Sequence, residues 1–521
     1  MRRWVSRART GTGLISTGLV AVLALALALA LALAPTSVAA PSGAAALSRF
    51  DGQTLTWGPC ADGAAGAECA RVTVPLDYSK PDGRTISLAL RRYPHTDPGP
   101  AVGTIVTNPG GPGAPGQAFA GYVRQLLGPA VTARYDVVGF DPRGTGESMP
   151  IACMTGPQTT RWLRLSPLPR TMADERRVMA AARRLASGCL RADASLATNV
   201  GSRNTVRDLD IIRQALREPR LDYLGFSYGT YLGARYIEQF PQTAGRIVLD
   251  GAMDPSLDAM SLAAGQNAGF QDAITRFADD CRTHADCAWG PSTADVLTGI
   301  NALLAGLETR PIRANPGRPL VVAEAISAIV ASMYSDRRWP ALRSALADAH
   351  KRDGRALQSI ADAAADRTGP DTYAVNATSA FYAIGCWDTP AAPDAPHLRR
   401  AAERWARNAP VPALATAIAW SAAPCAQWFG HDAQLPRAIA MSPSNPVLIT
   451  PVLIIGTLHD PATPYSWARA LHDQLPGSSL LTFDGDGHTG FGRGSPCIDN
   501  AVRRLFLTGA LPESGTTCRR P

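Results

Sequence analysis

The chain of 521 residues has almost no lysine: of its 51 basic residues only Lys80 and Lys351 are lysines. It holds eight histidines and no C-x-x-C or H-E-x-x-H spacing, so the ligand sets that bind zinc are missing and no metal or other cofactor is expected. No run of Lys and Arg is longer than two. Half of the net charge of +8 sits on Arg2, Arg3, Arg7 and Arg9 in a leader without acids. What remains is an ordinary solvated surface, which excludes nucleic acid as a partner. Beyond the leader no stretch of about 18 uninterrupted apolar residues occurs, so no further membrane span is expected. What is plentiful is core-forming material: 46% of residues are hydrophobic and 18% charged, the balance of a globular protein.

The leader has three parts: an Arg-bearing start, an apolar run from Leu14 to Ala34, and the small residues Val38, Ala39 and Ala40. This is the pattern of a secretory signal peptide over residues 1–40. It implies a secreted protein with no stable membrane insertion after cleavage. The run is also long enough to span a bilayer, so an uncleaved anchor is the rival reading. Ten cysteines form an even set, which in an exported chain points to disulfides. Connectivity is formally open, but the spacings fall into local couples: Cys60–Cys69, Cys153–Cys189, Cys281–Cys287, Cys386–Cys425 and Cys497–Cys518.

From Ala101 short β-branched runs alternate with helical spacing. Gly103 to Thr107, Tyr135 to Phe140, Leu221 to Phe226 and Arg246 to Leu249 read as strands, and Asn204 to Arg217 as a helix. Thr54 to Trp57, Arg71 to Leu76 and Ile86 to Arg92 read as edge strands before them. Buried apolar runs separated by helices argue for a parallel sheet. After Asp250 the chain turns Ala-rich and helical in period, and strand-like runs return only at Val452 to Gly456 and Ser479 to Phe483. Connections within a sheet are normally short, so the long helical block reads as an insertion into one α/β fold. The division expected is a signal peptide over 1–40, a first core part over 41–254, a helical cap over 255–446 and a C-terminal core part over 447–521. A separate helical domain is the alternative, but it would orphan the last strands.

Gly225-Phe226-Ser227-Tyr228-Gly229 stands between a strand and a helix, the context in which G-x-S-x-G makes a sharp turn that presents a nucleophilic serine. Such a serine needs a base and an orienting acid, in the chain order Ser, Asp/Glu, His. His488, in the loop after the last core strand, is the histidine in that position. Asp460 follows the preceding strand and is the expected acid. The oxyanion of an acyl-transfer intermediate needs two donors. One is the Tyr228 N–H, and the other, by position in the Asn108-Pro109-Gly110-Gly111-Pro112-Gly113 loop, is the Gly111 N–H.

Taken together, the G-G-P-G loop, Asp141-Pro142-Arg143-Gly144-Thr145-Gly146-Glu147-Ser148, the Ser227 pentapeptide and the Asp460 and His488 loops resemble the α/β-hydrolase aminopeptidases related to prolyl aminopeptidase. Within that group the likeness is to secreted actinobacterial tripeptidyl aminopeptidases. The resemblance implies an α/β-hydrolase fold, release of short peptides from free N-termini of peptides or proteins, and Ser227, Asp460 and His488 as the triad. In prolyl aminopeptidases cap acids hold the substrate's amino terminus. Glu324, Asp371 and Asp388 are candidates here only as acids of the inserted block. An esterase or lipase on the same fold is the alternative activity. A non-catalytic binding protein built on this fold is a third reading, against which the complete triad speaks.

Overall fold

The computed structural model describes residues 47–389, 394–435, 437–441 and 450–521. The leader, and with it the signal-peptide expectation, lies outside them, as does the boundary expected at 446.

Ten strands form one sheet in the order β1-β2-β3-β5-β4-β6-β7-β10-β11-β12. They are β1 (Gly58–Pro59), β2 (Glu68–Pro75), β3 (Thr85–Tyr93), β4 (Gly103–Asn108), β5 (Tyr135–Phe140), β6 (Leu221–Phe226), β7 (Ala244–Asp250), β10 (Val452–His459), β11 (Ser479–Asp486) and β12 (Thr517–Arg519). Two short strands, β8 (Ile312–Asn315) and β9 (Arg318–Leu320), pair with each other outside this sheet. From β5 to β12 every neighbour pair is parallel, and β1, β2 and β3 are added antiparallel at one edge. All six residues of β5 are buried, as expected of a parallel strand covered on both faces.

Helices α1 (Gln117–Leu127) and α15 (Pro496–Thr508) pack on one face, where Val123, Leu127, Val502 and Phe506 cluster with Ile105, Leu224 and Phe483. On the other face Tyr223, the strand neighbour of Leu224, lies against Gly233 of helix α5 (Tyr228–Gln239), beside α4 (Ser202–Ala215). The strand at Thr54 to Trp57 is absent: β1 begins at Gly58. The Gln53 side chain there bonds both the carbonyl and the amide of Thr73, at 2.7 and 2.9 Å, and meets the needs of the β2 edge that a strand would have met.

Between β7 and β10 the regular elements of the described residues are helices, apart from the β8–β9 hairpin. In chain order the main helices are α6 (Ala259–Cys281), α7 (Thr293–Thr309), α8 (Val322–Met333), α9 (Trp339–His350), α10 (Arg355–Ala364), α11 (Ala377–Asp388), α12 (Ala395–Ala406) and α13 (Pro412–Trp420); α14 (Tyr465–Gln474) follows β10. Ile274, Phe277, Ile300, Ile329 and Leu342 form their common core. Two helices from earlier in the chain, α2 (Gly156–Leu163) and α3 (Met172–Ala197), belong to the same layer: Val178 and Ala182 of α3 cluster with Leu398, Ala419 and Trp420. The helical layer is thus drawn from two stretches of chain. All ten cysteines pair in the five local couples read from their spacing, and none is free.

Candidate active site

The chain leaves β4 for β5 on one side and returns to β6 on the other, so the carboxyl ends of β4 and β6 face a crevice at which open α/β sheets bind ligands. Ser227 occupies the single residue between β6 and α5, with φ 54° and ψ −124°. A non-glycine residue in this region costs of order 1–3 kcal/mol, which its surroundings must hold in place. They do: its amide donates to the Asp250 carbonyl at 2.9 Å, and its carbonyl accepts from the Thr230 amide at 2.8 Å and the Thr230 hydroxyl at 2.6 Å. Gly110, at φ +93°, packs on this turn so closely that a Cβ would stand 2.8 Å from the Tyr228 amide nitrogen. The Gly110–Gly111 turn and the first turn of α5 therefore lie against each other. Gly111, Ser227 and Tyr228 all line one cavity.

Asp460, 2% exposed, follows β10, and His488, 9% exposed, follows β11. Both carboxylate oxygens of Asp460 lie 2.9 Å from His488 Nδ1. The carboxylate also accepts from the Ala462 and Thr463 amides at 2.9 and 2.8 Å, the Thr463 hydroxyl at 3.0 Å and the Thr489 amide at 3.2 Å. So many donors fix its position. With Nδ1 on the carboxylate, His488 Nε2 is buried and has no hydrogen-bond partner.

Two residues that the sequence did not single out hold the His488 loop. Asp250, fully buried at the end of β7, accepts the amides of Gly490 and Phe491 at 2.8 and 2.9 Å. Burial pushes its carboxyl up to about 6, against the pull of those two amides. Tyr334, in the helical layer, accepts the His488 amide on its carbonyl at 3.0 Å and sets its ring edge-on to the imidazole, with centroids 5.3 Å apart. The strand before Asp250 was visible in the sequence, read as ending one residue earlier at Leu249. The approach of Tyr334 depends on tertiary packing and left no local sign.

The cavity has a volume of about 540 Å³ and lies between the sheet ends and the helical layer. Its walls are mostly apolar, with Trp162 and Leu165 from the α2 region, Phe270 from α6, Val330 from α8 and Ile418 from α13. Its ionisable lining, apart from tyrosines, consists of Asp254 and Asp388, with no Lys, Arg or His among the described residues. Of the three acids considered for the amino terminus, only Asp388 is there. Glu324 is spent elsewhere: Arg164 donates to both its oxygens at 2.8 Å, and Gln358 and the Val321 amide add bonds at 3.3 and 3.2 Å. Asp371 is exposed on the surface and does not line the cavity. Asp388 accepts from the Tyr228 hydroxyl and the Ser202 amide, and burial pushes its carboxyl up to about 6.

The motif Asp141-Pro142-Arg143-Gly144 serves the scaffold. Arg143 is fully buried against Asp208, donating from Nε and Nη2 at 2.7 and 2.6 Å, and Asp141 takes the Gln117 amide at the start of α1 at 3.0 Å.

Family comparisons agree with this fold. Residues 103–299 match the family described as alpha/beta hydrolase fold, and residues 410–518 match the TAP-like protein family. Serine protease Hip1 of Mycobacterium tuberculosis (strain ATCC 25618 / H37Rv) is 35% identical over 495 residues, covering 90% of this chain and 91% of the relative. The chain belongs to the TAP-like α/β hydrolases. Tripeptidyl aminopeptidase of Streptomyces coelicolor is 33% identical over 459 residues, covering 87% of this chain and 83% of its own length. Carboxylesterase B of Mycobacterium tuberculosis is 34% identical over 459 residues, covering 87% and 86%. This TAP-like hydrolase is accordingly an enzyme, a serine hydrolase with five disulfides. No helix of its described residues is long and apolar enough to cross a membrane.

Proposed function

We propose that the protein is an exported serine aminopeptidase that releases short peptides, tripeptides in the first place, from free N-termini. Ser227 Oγ attacks the scissile carbonyl while His488 Nε2 takes its proton, and Asp460 holds the imidazole through Nδ1–H. The amides of Gly111 and Tyr228 receive the oxyanion. Collapse of the intermediate breaks the C–N bond, His488 returns the proton to the leaving amine, and a water activated by the same imidazole then hydrolyses the acyl-enzyme. The helical layer serves as the cap that closes the far end, and the leader over residues 1–40 directs export, which the five disulfides favour.

The observation that carries the reading is the charge of the cavity: two carboxylates, Asp254 and Asp388, in apolar walls without a basic side chain. Such a chamber favours an ammonium and disfavours a carboxylate or phosphate. Asp388 is buried, so its pairing with a substrate amine takes place away from bulk water. Losing that partner by acetylation leaves a buried carboxylate uncompensated, at about 3–5 kcal/mol, or roughly a hundred- to several-thousand-fold in kcat/KM. A tripeptide anilide with a free amine should therefore be hydrolysed well and its N-acetyl form barely at all. Equal rates on the two would remove the aminopeptidase reading. The second reading, an esterase, is favoured by the apolar walls and by the relative named carboxylesterase B. Fast turnover of long-chain esters would put it first.

A further inference from the structure

Tyr228 stands with one end in each half of the site. Its amide is the first of α5, next to Ser227 and in contact with the Gly110 turn. Its ring is buried at 8% exposure and stacks on Tyr231, with centroids 5.6 Å apart, and its hydroxyl donates to Asp388. Asp388 ends α11 and accepts the Ser202 amide, the first of α4, at 2.9 and 3.3 Å on its two oxygens. The preceding residue has to be glycine: a Cβ on Gly201 would stand 2.9 Å from Asp388 Oδ1 and would press into the Trp387 ring. Three elements thus converge on one carboxylate, and its remaining side opens into the cavity.

A carboxylate has about four lone-pair sites. The Tyr228 hydroxyl on one oxygen and the Ser202 amide shared between both take up three of these and leave room for one more. Burial weighs against the charged form of this group. A cation bound beside it settles it as the carboxylate, and hydrogen bonds to an ionised acceptor are roughly twice as strong as neutral ones. The Tyr228 hydroxyl is then gripped harder, and with it the first turn of α5 that carries the oxyanion-facing amide.

We infer that Tyr228 is a positioning residue that couples occupation of Asp388 by the substrate's ammonium to the alignment of the Tyr228 amide at the oxyanion. Recognition of the amino terminus is thereby expressed in kcat as well as in binding. The inference rests on the aminopeptidase reading above and adds to it a route by which a free amine speeds the chemical step.

The test is a double-mutant cycle with Tyr228→Phe, Asp388→Asn and their combination, with kcat and KM measured separately on the free and N-acetylated tripeptide anilides. Tyr228→Phe removes one oxygen atom and keeps the backbone amide. It should lower kcat on the free amine about 10- to 100-fold, the worth of a hydrogen bond to a charged group, with KM changed less than about threefold. On the Asp388→Asn background the same change should have little further effect. Should Asp388→Asn fail to fold, Asp388→Glu takes its place in the cycle, since it keeps the charge and moves it by one methylene. Full preference for the free amine in Tyr228→Phe, or strictly additive effects of the two changes, would overturn the coupling alone. Equal turnover of the two substrates by the unaltered enzyme would overturn the amino-terminal reading and the coupling with it.

Discussion

The loops at the carboxyl ends of the sheet and the helical layer above them build the cavity together, but they do so by different means. Each sheet loop works through a local backbone conformation: the positive φ of Ser227, the glycine turn at Gly110 and Gly111, and the amide cradle around Asp460. The layer works through packing between helices far apart in sequence, as where α3 meets α12 and α13 or where Asp388 meets Tyr228. The first kind of construction needs particular residue types at fixed spacing. The second needs only apolar volume and one well-placed polar group. It follows that the sheet loops should determine whether the enzyme reacts at all, and the layer what it reacts with.

The sharpest way to break this division is to change one residue on each side. Ser227→Ala and His488→Ala should each lower kcat/KM on every substrate by about 10⁴-fold or more, and the double variant should be no worse than either single one. Asp388→Asn should instead remove the preference for the free amine. If Asp388→Asn abolished all turnover while remaining folded, the two regions would not be separable in this way.

Stability offers a second contrast, between an ion pair under the sheet loops and one in the layer. Arg143 and Asp208 are both fully buried, and Tyr78 donates to the same carboxylate at 2.8 Å. Arg143→Met strands that charge and should cost about 3–5 kcal/mol in urea unfolding. The Arg164–Glu324 pair keeps 20% of the arginine side chain in contact with solvent, so Glu324→Gln should cost less, about 1–2 kcal/mol. The reverse order would mean that the layer, not the sheet, is the more tightly specified part.

A third contrast concerns pH. Asp250 under the sheet ends and Asp388 in the layer are each pushed up to about 6 by burial, whereas an unfolded chain would have them near 3.8. The folded state therefore holds more protons than the unfolded one between these values, and stability falls as pH rises from about 4 through 6. The expected loss is about 3 kcal/mol for each group, from 1.36 kcal/mol per pKa unit. Melting temperatures of Asp388→Asn should fall less steeply between pH 4 and pH 7 than those of the unaltered protein. An unchanged slope would mean that Asp388 stays hydrated.

The same contrast explains what could be read from the sequence. The parallel strands were legible because each is a short, largely apolar run ending in a turn, and the loops after them carried Ser227, Asp460 and His488 in the order the fold requires. Helices α2 and α3 were missed as parts of the cavity. Their surface is rich in arginine, and the contacts of Val178 lie more than 200 residues away in Leu398 and Trp420. Glu324 was plausible as an acid of the inserted block, but nothing local announces that Arg164 neutralises it. Asp388 had no better local claim than Glu324. It is set apart by lying between two helix starts and the open cavity, and only folding creates that arrangement.

The five disulfides close loops with sequence separations of 6 to 39 residues, and along the chain these loops lie end to end with none enclosing another. Every cysteine is bonded to the cysteine nearest to it in sequence. Because the entropy lost in closing a loop grows with its length, random encounters in the extended chain already favour the native partners. Oxidation therefore has little sorting to do, and breaking any one ring leaves the other four with no reason to exchange.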